Sequence, residues 1–102
     1  MKRRSYQVPV MENPSSVILS GQHAVTASAV ALPNVPIIAV TIKAHSDNAV
    51  PVYLGPAGVS AGNGGTGFEL SPGDAVTIEV ENLNIIYVIA TTTGASVSWI
   101  AK

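Results

Sequence analysis

The sequence contains no cysteine and very little charge. Without cysteine, neither a disulfide framework nor a thiol nucleophile can contribute to the fold or to chemistry. Only 11% of the 102 residues are charged, against about 25% in an average soluble domain, whereas 47% are hydrophobic. A small domain normally covers its large surface with charged side chains. The shortage of charge therefore favours a surface that is partly covered by protein neighbours over an ordinary β domain faced with Ser, Thr and Gly.

The few charges present give no strong overall field. The formal net charge is −1, so the chain as a whole is not expected to bind nucleic acid or a membrane surface. Residues 13–42 carry no formal charge, but prolines and polar residues interrupt them and leave no apolar run long enough to span a bilayer. The amino-terminal residues also lack the apolar stretch of a signal peptide. We therefore expect neither a membrane partner nor a targeting segment.

Short apolar runs separated by turn residues fill most of the chain, a pattern that predicts an all-β fold. Alternation is clearest in residues 37–44 and 75–80. Residues 24–32 are compatible with a helix, but their β-branched residues and missing cap favour a strand. The prediction is a single antiparallel β-sandwich of about seven strands, jelly-roll or immunoglobulin-like, over residues 15–102, preceded by a flexible arm over residues 1–14. The predicted strands are residues 17–19, 24–32, 37–44, 50–54, 75–80, 85–90 and 96–100, with turns at 20–23 and 71–74. Residues 38, 40, 42 and 44 are predicted to share one face, and residues 76, 78 and 80 to face inward. Residues 85–90 are apolar on both faces, as expected for a central strand buried on both sides.

Titratable and nucleophilic side chains do not form a recognisable catalytic set. His23 and His45 are the only histidines, and both are predicted to lie in turns. His45 and Asp47 are too close along one turn to face each other across a nucleophile, and they have no second cluster to complete a metal site. The glycine-rich residues 55–67 lack both the lysine and the following helix of a phosphate-binding loop. The sequence thus predicts a protein that is not an enzyme and that has no cofactor or metal.

Two segments are candidates for binding other proteins. The first is the basic start of the arm, which is expected to hold an acidic protein surface because three charges and one tyrosine give only weak affinity for nucleic acid. The second is the loop at 55–67, which contains six of the nine glycines and is expected to order against a neighbouring subunit. The predicted partner-binding residues are Lys2, Arg3, Arg4 and Tyr6 in the arm, and Gly58, Val59 and Asn63 in the loop.

An ordered set of short motifs resembles the small virion proteins of tailed bacteriophages. The resemblance covers roughly residues 35–101 and rests on the order of the motifs rather than on any single one. The set comprises IAVTIKA at 38–44, DN at 47–48, PVYLG at 51–55, GFELSPGD at 67–74, VENL at 80–83 and IIYVI at 85–89.

The resemblance implies a structural component of a virion, most simply a capsid decoration (cement) protein that binds neighbouring copies of the major capsid protein as a symmetric oligomer, with a trimer favoured. The alternatives are a tail, connector or fibre component, including a carbohydrate-binding module at the host surface. A carbohydrate module usually presents exposed aromatic side chains, and the single tryptophan, Trp99, lies in a predicted terminal strand where a core position is the more common one.

Overall fold

The computed structural model describes residues 17–102, and these residues form a two-layer β-sandwich, as predicted. One 3-10 turn, Leu83–Ile85, is the only helical element in this part of the chain. The eight strands are β1 (Leu19–Val25), β2 (Val30–Ala31), β3 (Val40–Ala44), β4 (Val52–Gly55), β5 (Phe68–Leu70), β6 (Ala75–Ile78), β7 (Tyr87–Ala90) and β8 (Ala95–Ala101).

The strand order identifies the sandwich as a jelly roll. Sheet A has the order β1-β8-β3-β6, and sheet B has the order β2-β7-β4-β5. Every neighbouring pair is antiparallel. Two four-stranded sheets with crossing connections are typical of the jelly roll, whereas an immunoglobulin constant-type domain divides seven strands between its sheets. The order also leaves β5 and β6 as the edge strands on one side of the sandwich.

Alternating apolar residues fill the space between the sheets. In β3, Val40, Ile42 and Ala44 are buried while Thr41 and Lys43 face outward. The same alternation in the other strands closes a core in which each fully buried valine or isoleucine contributes about 1.5–3 kcal/mol. Its largest fully buried side chains are Leu32, Ile42, Leu83, Val25, Val40, Val52, Val88 and Val97.

The first strand was predicted wrongly. Residues 20–23 were expected to form a turn because of Gly21, but β1 passes through them and pairs with β8 over its full length. Gly21 lies opposite Trp99, and a Cβ built on the glycine would come within 2.9 Å of the Trp99 ring. The glycine therefore makes room for the indole, which is buried in the core, and does not bend the chain.

Two further predictions of strand extent need correction. Residues 24–32 do not form one strand: β1 ends at Val25, bends follow at 27–28, and the short β2 belongs to the other sheet. The alternative helix is not formed either. The segment 68–70, predicted only as the end of the loop, is an additional strand, β5, because it pairs with β4. These differences bring the strand number to eight.

Most of the remaining strands are shorter than predicted, whereas β8 extends one residue further at each end than the predicted 96–100. β3 begins at Val40 rather than at residue 37, and Ile38, which was predicted to share a face with Val40 and Ile42, is exposed whereas those two residues are buried. β7 was expected to be apolar and buried on both faces, but Tyr87 and Ile89 are only half-buried. The predicted turn before β6 is confirmed: Gly73 has a φ of 92°, and the Asp74 amide donates to the Ser71 carbonyl over 2.8 Å.

Candidate interaction surfaces

The glycine-rich loop between β4 and β5 packs on the outer face of its own sheet. Its Val59 is only 4% exposed and lies against Gly55 and Gly67. A Cβ on Gly55 would lie 2.6 Å from Val59 Cγ2, and a Cβ on Gly67 would lie 2.6 Å from Tyr53 Cβ. The two glycines therefore permit a close approach of loop and strand that side chains would prevent. This packing also explains why Tyr53, on the outer face of β4, is buried.

Hydrogen bonds close the neck of the same loop. The Gly67 amide donates to the Ser60 carbonyl over 3.1 Å, and the Thr66 amide donates to Ser60 Oγ over 2.9 Å. The loop thus has its own internal order, whereas the sequence suggested that ordering would need a neighbour. Of the predicted contact residues, Gly58 and Asn63 are exposed on the loop, but Val59 points inward and supports it.

An apolar groove opens between the edge strands β5 and β6, where the two sheets part. It has a volume of about 390 Å³. Phe68 from β5 and Ile85 from the 3-10 turn are its most exposed walls, with 61% and 46% of their surfaces accessible. Pro56 lies at its rim. The residues that line this edge groove are Leu54, Gly55, Pro56, Phe68, Val76, Ile78, Ile85 and Ile86.

Acidic residues are concentrated in the part of the sequence that contains the two edge strands β5 and β6. Four of the six acidic residues lie between positions 69 and 81, in or beside β5 and β6. No lysine or arginine occurs anywhere in residues 44–101. Lys43 on β3 is the only lysine or arginine in the eight strands, and it lies opposite Ala75 of β6. The segment that contains β5 and β6 therefore carries four acidic residues and no lysine or arginine; the four are Glu69, Asp74, Glu79 and Glu81.

The outer face of sheet A is nearly neutral. Its strands present Ser, Thr, Ala and Gln side chains, with Lys43 as the single charge and a hydrogen bond of 2.8 Å between Thr41 and Thr77. Large apolar side chains are exposed at one end of this sheet, near the row in which Leu19, Ala101 and Val40 pair. We call this cluster the end patch; it consists of Val17, Ile18, Ile38 and Ile100.

The titratable groups of the described chain do not converge. His23 lies on β1, where its Nδ1 donates to the neighbouring Ala24 carbonyl over 2.8 Å, and His45 follows β3. Over residues 17–102, no three His, Asp or Glu side chains come close enough to hold a metal ion. The same residues include no helix that is long and apolar enough to cross a bilayer.

The basic part of the predicted partner site lies outside the described residues. Lys2, Arg3, Arg4 and Tyr6, together with the proposed boundary of the arm at residue 14, precede residue 17. The structure therefore shows where the loop residues lie, whereas the roles assigned to the arm residues stay predictions. Sequence reasoning missed both the edge groove and the end patch, because each is assembled from strands that are distant along the chain.

Comparisons with known proteins do not assign the chain to a family. No protein-family model matches it, and no curated protein matches it. Among solved structures, a chain from Bacillus endospore appendages, which are described as a novel family of disulfide-linked pili, aligns with 95% of this chain and 98% of its own length. The aligned residues are 13% identical and the TM-score is 0.39, values that transfer neither fold nor function.

Proposed function

We propose that this protein is a structural subunit that works by assembling with copies of itself and with other proteins of a larger particle. The observation that carries the proposal is the distribution of exposed large apolar side chains. All six of them, among residues 17–102, lie either in the end patch or in the edge groove. Single exposed apolar residues are common on monomers, but contiguous groups bordered by polar residues mark contact surfaces.

The outer face of sheet A supports the same proposal. A face made mostly of small neutral side chains can approach another protein with little cost of desolvating charges. Ile100 stands on this face with 53% of its surface exposed, next to Thr41 in the register. Burying it against a neighbour would contribute about 1–2 kcal/mol. The face and the end patch together provide a rigid platform for association.

The more specific proposal is a virion protein of a tailed bacteriophage that decorates the capsid surface and stabilises the shell. It rests on the motif order at residues 38–89, which resembles small phage virion proteins. The partner would be the major capsid protein, and a trimer is the favoured oligomer. Binding only to the assembled shell would stabilise that shell by mass action. A tail, connector or fibre component would use the same surfaces.

A carbohydrate-binding role receives less support. Such a site needs aromatic rings that are open to solvent. In the described chain, Trp99 and Tyr53 are buried, and Tyr87 is half-buried. Phe68 is the one well-exposed aromatic ring among residues 17–102, and it lines an apolar groove rather than a polar one.

Sedimentation velocity on the full chain tests the general proposal. We expect a concentration-dependent oligomer that Ile100→Glu weakens by about tenfold, since it places a charge in the end patch. Thr93→Glu, in the exposed β7–β8 turn, is the matched control and should leave the oligomer unchanged. A wild-type chain that stays monomeric at every concentration and binds no shell would refute the proposal.

Thermal unfolding of capsids tests the specific proposal. Shells from which the protein has been removed are mixed with wild-type protein or with Ile100→Glu and then heated. A decoration protein raises the temperature at which the shell opens, and the variant does so only at higher concentration. If the wild-type protein binds but the opening temperature does not change, the decoration role is refuted. The protein would then be proposed as a structural subunit of another part of the particle.

A further inference from the structure

Four strands lie at the edges of the two sheets, and β1 differs from the other three. It is seven residues long, whereas β2, β5 and β6 have two, three and four residues. Open edges are usually protected by shortness, charge or proline, because they favour pairing with another chain. β5 contains Glu69, and β6 lies between Asp74 and Glu79. β1 contains no proline and lies within the charge-free residues 13–42, so it is the one long edge of the described sandwich without these protections.

Hydrogen bonds inside sheet A show which backbone groups of β1 lie at its open edge. Ser96 of β8 faces β3, because its carbonyl accepts from the His45 amide over 3.1 Å. Backbone groups alternate between the two sides of a strand, so Val97 faces β1 and bonds to His23, the residue opposite. The next residues along β1 therefore point their N–H and C=O groups away from the sheet. The edge residues that do so are Ser20, Gln22 and Ala24, and all three are exposed.

This edge is complementary to an antiparallel copy of itself. Centred on Gln22, such a pair places Gln22 opposite Gln22 and Ser20 opposite Ala24, with about six backbone hydrogen bonds between the copies. The Gln22 amide carries both donors and an acceptor, so it can bond to its own counterpart, which a lysine or a glutamate could not do. On the other face of the strand, His23 would lie opposite Gly21, a pair in which only one residue has a side chain.

The histidine contact at this edge is compatible with the pairing. His23 Nδ1 donates to the Ala24 carbonyl over 2.8 Å. A carbonyl oxygen has two lone pairs, so the same oxygen can also accept from the Ser20 N–H of a second copy. The ring therefore occupies only part of the hydrogen-bonding capacity of the edge.

We propose that β1 pairs with β1 of a second copy, antiparallel and centred on Gln22, so that the two A sheets join into one sheet of eight strands. The occupant is a second copy because a two-fold contact brings each side chain close to a side chain of the same short segment, and a charge-free segment can do this without like charges meeting. This inference rests on the proposed function, because it supplies one contact by which copies are joined.

The proposed pair also enlarges the platform for association. The two-fold axis between antiparallel strands is perpendicular to the sheet, so the outer faces of both A sheets lie on the same side of the dimer. Eight strands at about 4.8 Å give a face about 38 Å wide. The two end patches then lie towards opposite ends of this joint face, because the strands of the two copies run in opposite directions.

Disulfide coupling on the full chain tests the proposal, since no native cysteine interferes. In the proposed pair the two Gln22 Cα atoms are about 5.5 Å apart, a distance that a disulfide spans. Gln22→Cys protein activated as a pyridyl disulfide is mixed with Gln22→Cys thiol. We expect this pair to react at least about tenfold faster than the same pair made with Thr93→Cys, the matched control in an exposed turn.

A second coupling experiment tests the register. Activated Ser20→Cys protein should react with Ala24→Cys thiol at least about tenfold faster than with Ser20→Cys thiol. The reason is that residue 20 lies opposite residue 24 of the other copy, whereas the two residues 20 are four positions apart, or about 14 Å along the strands. All cysteine variants are compared with the wild type by their unfolding midpoints, so that an unfolded edge is not mistaken for a lost contact.

Charge substitution at Gln22 tests the two-fold axis itself. Gln22→Glu and Gln22→Lys should each weaken the dimer about fivefold in sedimentation velocity, because like charges then lie opposite each other. An equimolar mixture of the two variants should recover the wild-type affinity to within about twofold. Thr93→Glu and Thr93→Lys, alone or mixed, should change nothing.

The outcomes separate this contact from the proposed function. Coupling at residue 22 that is no faster than at residue 93, or equal rates for the 20–24 and 20–20 pairs, would overturn the pairing of β1. So would a mixture of the two charge variants that associates no better than either variant alone. If the chain still forms an oligomer that Ile100→Glu weakens, for example a trimer, the proposed function stands and only this contact is refuted. A chain that stays monomeric at every concentration and binds no shell refutes both.

Discussion

The tight packing of the glycine-rich loop on β4 gives a quantitative prediction for Gly55→Ala. The new methyl group would lie 2.6 Å from Val59 Cγ2 and 3.0 Å from Val59 Cβ, well inside van der Waals contact. The three atoms nearest to the new methyl group all belong to Val59. Val59 is itself buried between Gly55 and Gly67, so it cannot move aside freely. The substitution should therefore force the loop away from the sheet.

The expected cost of Gly55→Ala is that of overpacking a tight core site, about 1–3 kcal/mol of unfolding free energy. For a domain of this size a loss of about 2 kcal/mol lowers Tm by about 8–16 °C. Val59→Ala removes two methyl groups from a buried position and should cost about 2 kcal/mol by itself. The double variant should lose clearly less than the sum, with a coupling of about 1 kcal/mol or more, because the shortened side chain makes room for the new methyl group.

Urea unfolding of the wild type, both single variants and the double variant measures this cycle. Gly73→Ala is the matched control: it places a methyl group at a φ of 92° with no atom within 4 Å, so its cost is backbone strain alone. That cost should add to the cost of Val59→Ala without coupling. A Gly55→Ala protein as stable as the wild type, or strictly additive costs for Gly55 and Val59, would refute the packing of the loop on β4.

Three other substitutions should give distinct changes in the urea midpoint. Asn48→Ala should cost about 1–3 kcal/mol, because the Asn48 amide both accepts from the Ser96 N–H and donates to the Ser96 carbonyl, at 2.9 Å each. Trp99→Phe should cost about 1 kcal/mol or less, because the buried Trp99 Nε1 has no hydrogen-bond partner, whereas Trp99→Ala should cost about 3–5 kcal/mol. Asn82→Ala should cost about 1–3 kcal/mol, because Asn82 Oδ1 accepts from the Val35 amide over 3.2 Å and caps the 3-10 turn. A Trp99→Phe loss as large as that of Trp99→Ala, or unchanged midpoints for both asparagine variants, would contradict these assignments.

Local alternation was enough to predict the sandwich, but not the path of every strand. The residues of β6 alternate inward and outward as predicted, with Val76 and Ile78 half-buried and Ala75 and Thr77 exposed. Gly21 misled the prediction for β1, since a glycine in a polar run is also typical of a turn. The glycine is needed at this position because the ring of Trp99 packs against it, and Trp99 lies nearly eighty residues away in the sequence. No local pattern could contain that information.

The candidate contact surfaces were harder to predict than the fold. Composition alone indicated that part of the surface is covered, and the exposed apolar groups agree with that indication. The edge groove combines Leu54, Phe68, Ile78 and Ile85, and they meet only because the jelly-roll order places β5 and β6 side by side at the open edge. A sequence pattern that leaves strand order undetermined cannot bring these residues together.

Because its neck is closed by hydrogen bonds, the glycine-rich loop should also tolerate the insertion of a foreign peptide. Ser60 and Thr66 hold the two sides together, while Asn63, Gly64 and Gly65 between them are exposed. A peptide inserted after Asn63 would begin and end at the same fixed point, so the strands on either side would keep their register. If the subunit assembles as proposed, each copy in a particle would then display one epitope at a regular spacing.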